Sequence, residues 1–248
     1  MREVIDHSEF FSGKERPDLE KFFQHGGKVL KYEHRGKPGG FFAYIPLAGL
    51  RRMAEHRGEL VPGATLHVLT GNAKVLEDLK RAYPHVSEDR VFYEHGVTAL
   101  PVATKAAPGY RLHEKFLKDL DNKKPRSLVF GLIEWSGAPN IPSLGLALRH
   151  GFVVDSVAEI NPREPEEGET AQPNWFCLRV VRPPEPVKTG IQEIRLPVKG
   201  GPEFYNLAAQ LTARGFVGVA FDKKNMALVF RKKAEAPAPQ GPAPGAQG

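Results

Sequence analysis

The sequence predicts an α/β protein, an α+β mixed sheet with antiparallel hairpins at each side and a small βαββ module near its C-terminal end. Three observations lead there. Strand-like and helix-like patterns alternate along the chain, as in a sheet covered by helices. SLVFGLIEW (Ser127 to Trp135) is a strongly apolar run of strand length. Finally, one local solution occurs twice. LALRHGFVVDSV (Leu146 to Val157) and LTARGFVGVAFD (Leu211 to Asp222) both pass from a helix end through Gly-Phe-Val into a strand, and each is followed by a further strand, NWFCLRVV or MALVFRK. Glycine stops the helix in the left-handed conformation, and phenylalanine closes the core behind it. The pair reads either as a shared helix-to-strand solution or as duplication of a terminal αββ unit.

Taken in order, ERPDLEKFFQHGG places Leu19, Phe22 and Phe23 at helical spacing, with Gly26-Gly27 as the stop. KVLKYEHRG and GGFFAYIPL form two strands joined by a Gly/Pro turn from Arg35 to Gly40, and Phe41, Phe42 and Tyr44 mark core. LAGLRRMAEHRG reads as a helix, ATLHVLT as a strand, and GNAKVLEDLKRAYP as a helix closed by Pro84. RVFYEHGVTALPVAT is the next strand, bending or bulging near Gly96, and LHEKFLKDLDNKK is an amphipathic helix. Acidic, Pro-containing NPREPEEGETAQPN and the proline cluster RPPEPVKTG are loops. These punctuators divide the chain into a main domain, residues 1–181, a module at 190–233 and a tail at 234–248. The tail, almost entirely Ala, Pro, Gly and Gln, holds no apolar side chain large enough to repay the entropy of ordering.

Composition narrows the function. Hydrophobic residues make up 41% and charged residues 26%, the proportions of an ordinary globular protein. No apolar run is long enough to span a bilayer, so no membrane role is expected. The first twenty residues scatter charges without an apolar stretch, which argues against a secretory signal. Cys177, the single cysteine, lies in a strand-like segment and reads as a buried thiol in a reducing, cytoplasmic setting. The net charge of +6 suits an acidic ligand, but the basic clusters sit at element boundaries without interleaved aromatics, which argues against nucleic acid. The nine histidines show no pair at metal-ligand spacing, and there is neither a nucleophile elbow nor a Walker loop.

The stretch from Val97 to Phe152 is the most informative. It runs from a strand through Lys105-Ala106-Ala107-Pro108-Gly109-Tyr110-Arg111 into a helix, then the apolar strand, then Asn140 and Ser143 leading a short helix that ends in Gly151-Phe152. That order resembles the acyl-CoA-binding half of the GCN5-related N-acetyltransferase (GNAT) superfamily. The resemblance implies a GNAT-like fold and acetyl-CoA as cofactor. It also implies a pyrophosphate turn around Gly109, with Lys105, Tyr110 and Arg111 beside it, and Asn140 and Ser143 toward the pantetheine, which lies where strands splay apart. Backbone amides at a helix N-terminus favour phosphate in general. Asn140 reads equally well as the cap of the helix that Pro142 enters. Against the family pattern of Gln or Arg, two residues, Gly, one residue, Gly or Ala, this chain has Ala106 at the first position and Arg111 at the last. Ala147 stands where many members carry a tyrosine that protonates the departing thiolate.

An amine must be deprotonated to attack a thioester, so a general base is needed. Glu134 at the end of the apolar strand is the best-placed candidate, and Glu94 and His95 on the preceding strand are its rivals. Two functions follow from the resemblance. One is an N-acyltransferase acting on a small-molecule or protein amine. The other is a non-catalytic GNAT-fold binding or structural protein, phage-encoded or assembly-associated, whose C-terminal module docks onto a protein partner.

Overall fold

The computed structural model describes residues 16–60, 65–99, 107–134, 140–160, 175–199 and 201–234. Among these residues, nine strands form one mixed sheet in the order β1-β2-β3-β4-β6-β5-β8-β9-β7. The strands β1 (Lys28–His34), β2 (Lys37–Pro46) and β3 (Val91–Ala99) pair antiparallel. Helix α5 (Pro108–Lys123) then crosses over to β4 (Leu128–Glu134), which pairs parallel to β3. After α6 (Ile141–Arg149) come β5 (Val153–Ile160) and β6 (Trp175–Arg182), with β6 inserted between β4 and β5. The remaining strands are β7 (Thr189–Pro197), β8 (Phe216–Asp222) and β9 (Ala227–Lys233), with α7 (Pro202–Ala213) between β7 and β8.

Helices cover both faces, and the alternation of each strand sorts its side chains between two cores. Leu112, Phe116, Leu144, Ala208 and Leu211 of α5, α6 and α7 pack with Phe42, Phe92, Val129, Leu178 and Leu228 on one face. On the other, α1 (Arg16–Gln24), α2 (Leu47–Glu55), α3 (Thr65–Thr70) and α4 (Ala73–Ala82) bury Phe22, Leu50, Leu66, Leu69 and Leu76 against Val29, Ile45, Tyr93 and Phe130.

The segment expected as a strand at ATLHVLT is instead α3. Its β-branched residues suit either state, but Leu66 and Leu69, three apart, are both buried, and Thr70 Oγ1 donates to the Leu66 carbonyl at 2.7 Å. Helix α5 also begins earlier than expected, at Pro108, which puts Gly109, Tyr110 and Arg111 in its first turn. The bulge expected near Gly96 is at His95: Ala43 faces Gly96, Tyr44 faces Glu94, and His95 is skipped.

The Gly-Phe-Val repeat is part of a larger equivalence. β4-α6-β5-β6 and β7-α7-β8-β9 are both strand-helix-strand-strand, and in both the last strand lies between the first two. Gly151 (φ +81°) and Gly215 (φ +82°) stop the two helices in the left-handed region. The ladder skips Asp155 in β5 and the equivalent Val219 in β8. Where the units meet, Val154 pairs with Gly218, its own counterpart. Equivalent residues facing each other across an antiparallel junction define a local twofold axis normal to the sheet. Helix α6 lies against β8, and α7 against β5.

Candidate active site

The site begins where two parallel strands part. The β3–β4 ladder runs from Val91–Leu128 to Glu94–Gly131 and stops there, although β3 continues to Ala99 and β4 to Glu134. The bulge at His95 re-aims β3 at this point. Beyond the fork lies a cavity of about 810 Å³, a size typical of small-ligand sites. Val97, the first turn of α5 at Gly109 and Tyr110, much of α6 from Ile141 to Arg149, and residues of β8 line it.

Two helix starts contribute. Ala107 precedes α5 in a left-handed conformation (φ 47°, ψ 54°) and offers no side-chain cap. Pro108 carries no amide hydrogen, and the first helical bond is Arg111 N–H to the Ala107 carbonyl at 3.2 Å. The helix therefore presents the uncapped amides of Gly109 and Tyr110 at its positive end. A Cβ on Gly109 would lie 3.4 Å from Val97 Cγ2 and 3.8 Å from Leu146 Cδ2, so it would occupy space between cavity walls. At α6, Asn140 Oδ1 accepts the Ser143 amide at 3.3 Å, so Asn140 is the helix cap and Ser143 is the member of that pair lining the cavity.

Behind the fork is a buried polar cluster. Glu94 Oε2 lies 3.0 Å from Nε2 of His113, whose side chain is fully buried on α5. Among the described residues, the Nδ1 of His113 and Nε2 of His150 are buried without a hydrogen-bond partner. The two rings meet edge to face with centroids 4.5 Å apart, and the Tyr110 ring lies against His150 at 4.6 Å, tilted by 35°. Burial, then His113, Arg182 and Arg149, hold the pKa of His150 down to about 4, so it is neutral at pH 7. The cluster thus reaches from Glu94 to a cavity-lining tyrosine.

Of the residues expected from sequence, Gly109, Tyr110 and Ser143 line the cavity, and Glu94 sits at the fork. Arg111 is exposed outside the lining, Glu134 is in β4, and Lys105 lies outside the described residues. Ala147 is buried in the core and does not line the cavity. Sequence reasoning missed His113, His150, Arg149 and Lys223. Only His113 left a local signal, as a histidine between Leu112 and Phe116 on the apolar stripe of α5. Among the described residues no group of three or more His, Cys, Asp or Glu could hold a metal ion, and no helix is long and apolar enough to cross a membrane.

A parallel strand pair joined by a helix and parting beside a cavity, then a helix ending in Gly-Phe, follows the order of elements on which the resemblance stated above rests, whereas Asn140 takes the capping role. The fold is mixed α/β, a nine-stranded mixed sheet with helices on both faces among the described residues. No family model and no curated protein matches the chain. Among solved structures, the chain is similar to mosquito arylalkylamine N-acetyltransferase like 5b at 17% identity, with 70% of this chain and 82% of that chain covered and a TM-score of 0.48. A polyamine N-acetyltransferase of Drosophila melanogaster matches at 16% identity over 62% of this chain and 73% of that chain, with a TM-score of 0.44. A ribosomal-protein-alanine N-acetyltransferase of Brucella melitensis matches at 15% identity over 68% and 75%, with a TM-score of 0.41.

Proposed function

We propose that the protein is a GNAT-like N-acyltransferase that uses acetyl-CoA and acts on an amine. The observation that carries this reading is the fork. A carboxylate, Glu94, stands where β3 and β4 part, and the cavity beyond that point receives the uncapped start of a helix. The residues fit the cofactor, since among the described residues the lining includes cations and no carboxylate, and Gly109 leaves the amides approachable. When bound, acetyl-CoA would supply an acyl group activated as a thioester.

The chain's own residues would do the rest. The amides of Gly109 and Tyr110, at the positive end of α5, favour a phosphate there. Edges of β3 and β4 left without ladder partners beyond Glu94 and Gly131 offer backbone groups to an extended, amide-bearing ligand. Glu94 takes a proton from the acceptor ammonium, leaving the nitrogen lone pair free to attack, and His113 fixes the carboxylate's direction through Nε2. With Ala147 buried, no tyrosine acid operates from that position, and orientation of the reactants carries more of the rate.

Calorimetric titration with acetyl-CoA, followed by transfer assays on a panel of primary amines, tests this. Binding between about 1 µM and 1 mM is expected. Glu94→Gln should keep that binding and lower kcat by about 10²–10⁴. Absence of cofactor binding overturns the proposal; binding without transfer to any amine would leave a ligand-binding protein instead.

A further inference from the structure

The cavity is not built by β3, α5 and the first βαββ unit alone. Val219, Ala220 and Phe221 of β8 line it, and so does Lys223 from the turn behind that strand. The twofold relation explains their presence, because α6 packs on β8 and so brings the second unit against the first unit's helix. Two cations, Arg149 and Lys223, line the same cavity as the uncapped start of α5. Among the described residues neither side chain makes a hydrogen bond or an ion pair, and no carboxylate lines the cavity. The nearest acid in sequence, Asp222, is already engaged by Arg195 at 2.8 Å and by the Asn225 side chain at 2.8 Å. Two cations without a protein partner, on a wall whose described residues include no acid, suit an anion.

We propose that Lys223, with Arg149, contacts the phosphate-bearing end of coenzyme A, so that the ligand is bound across the junction of the two βαββ units. This rests on the acyl-CoA reading above. Cation–phosphate hydrogen bonds are of the strong, charge-assisted kind, and their contribution is screened by salt where they are solvent-exposed. The second unit would then contribute to affinity through a residue with no counterpart in the strand–helix–strand segment that resembles the family.

The test is calorimetric titration of the full chain with coenzyme A for the wild type, Lys223→Ala and Lys224→Ala, at low salt and at about 1 M salt, where the Debye length is about 3 Å. Lys224 is the adjacent lysine outside the cavity lining, so its variant should bind as the wild type does. Lys223→Ala should bind about tenfold more weakly at low salt, with the deficit largely gone at high salt and the melting temperature of the free protein unchanged. Wild-type affinity in Lys223→Ala overturns this inference and leaves the acyl-CoA reading standing. So does a deficit that persists at high salt, since that would reflect packing. A wild type that binds no coenzyme A overturns both.

Discussion

In the first βαββ unit the bulged strand carries Asp155, held by Arg179 through Nε at 2.9 Å and Nη2 at 3.1 Å, with the Tyr83 hydroxyl donating to the same carboxylate. In the second unit the equivalent positions are Val219 and Val229, by the same ladder offsets. Both units keep the glycine helix stop, the bulge and the inserted last strand. They differ in what surrounds them. Helix α4 covers the first unit's bulge, where Arg179 also reaches the Val75 carbonyl, and β3 flanks β4. In the second unit β7 ends the sheet, with Ile191 fully exposed, and an exposed ladder of Asp222, Arg195, Glu193 and Arg231 crosses its strands. The backbone solution is repeated and the site is not, because a fork needs a neighbouring strand to part from.

Breaking the Asp155–Arg179 pair should give the largest effect. Both side chains are nearly inaccessible, at 3% and 4%, so Asp155→Val leaves a buried guanidinium uncompensated at a cost of about 3–5 kcal/mol in urea unfolding. Tyr83→Phe/Asp155→Val/Arg179→Val, which imports the second unit's apolar pair and removes the orphaned hydroxyl, should regain most of that loss. A triple variant no more stable than the single one would show that the two units' bulges are not interchangeable.

The junction comes next. A Cβ on Gly218 would lie 3.0 Å from Val154 Cβ and 3.3 Å from Leu228 Cδ1, so Gly218→Val should cost about 1–3 kcal/mol by overpacking. Val154→Gly/Gly218→Val moves the glycine across the twofold axis and should recover part of it, a coupling that a double-mutant cycle measures. Strict additivity would contradict the pairing of these two residues.

A smaller contrast is pH-dependent. His150, whose counterpart is Arg214, has a folded pKa near 4 against an ordinary value of 6.5. The unfolded chain therefore binds the extra proton between those limits, and stability falls as the pH drops from about 6.5 toward 4. His150→Gln should flatten that part of a stability–pH curve, whereas Arg214→Gln should leave its shape alone. The smallest effect belongs to the exposed ladder. Glu193→Ala should shift the urea midpoint least, and any shift should vanish at about 1 M salt.

Much of the fold was legible because its signals are local. The apolar run at β4, the Gly-Phe-Val stops and the Pro142 helix start depend on neighbours a few residues away, and these fixed element types and the αββ repeat. ATLHVLT shows where that reading weakens: in seven residues, period and propensity do not separate strand from helix, and burial of Leu66 and Leu69 decides. The site was legible only in part. Gly109, Ser143 and Glu94 follow from motif and strand position, whereas Glu94 meets His113 nineteen residues away through the packing of α5 on β3. Lys223 reaches the cavity only because β8 joins β5. Sequence by itself determined the elements and their repetition, through periodicity and helix stops. Tertiary structure alone decided which repeat met which neighbour, because strand register and the parting of β3 from β4 are set by contacts between segments far apart in the chain.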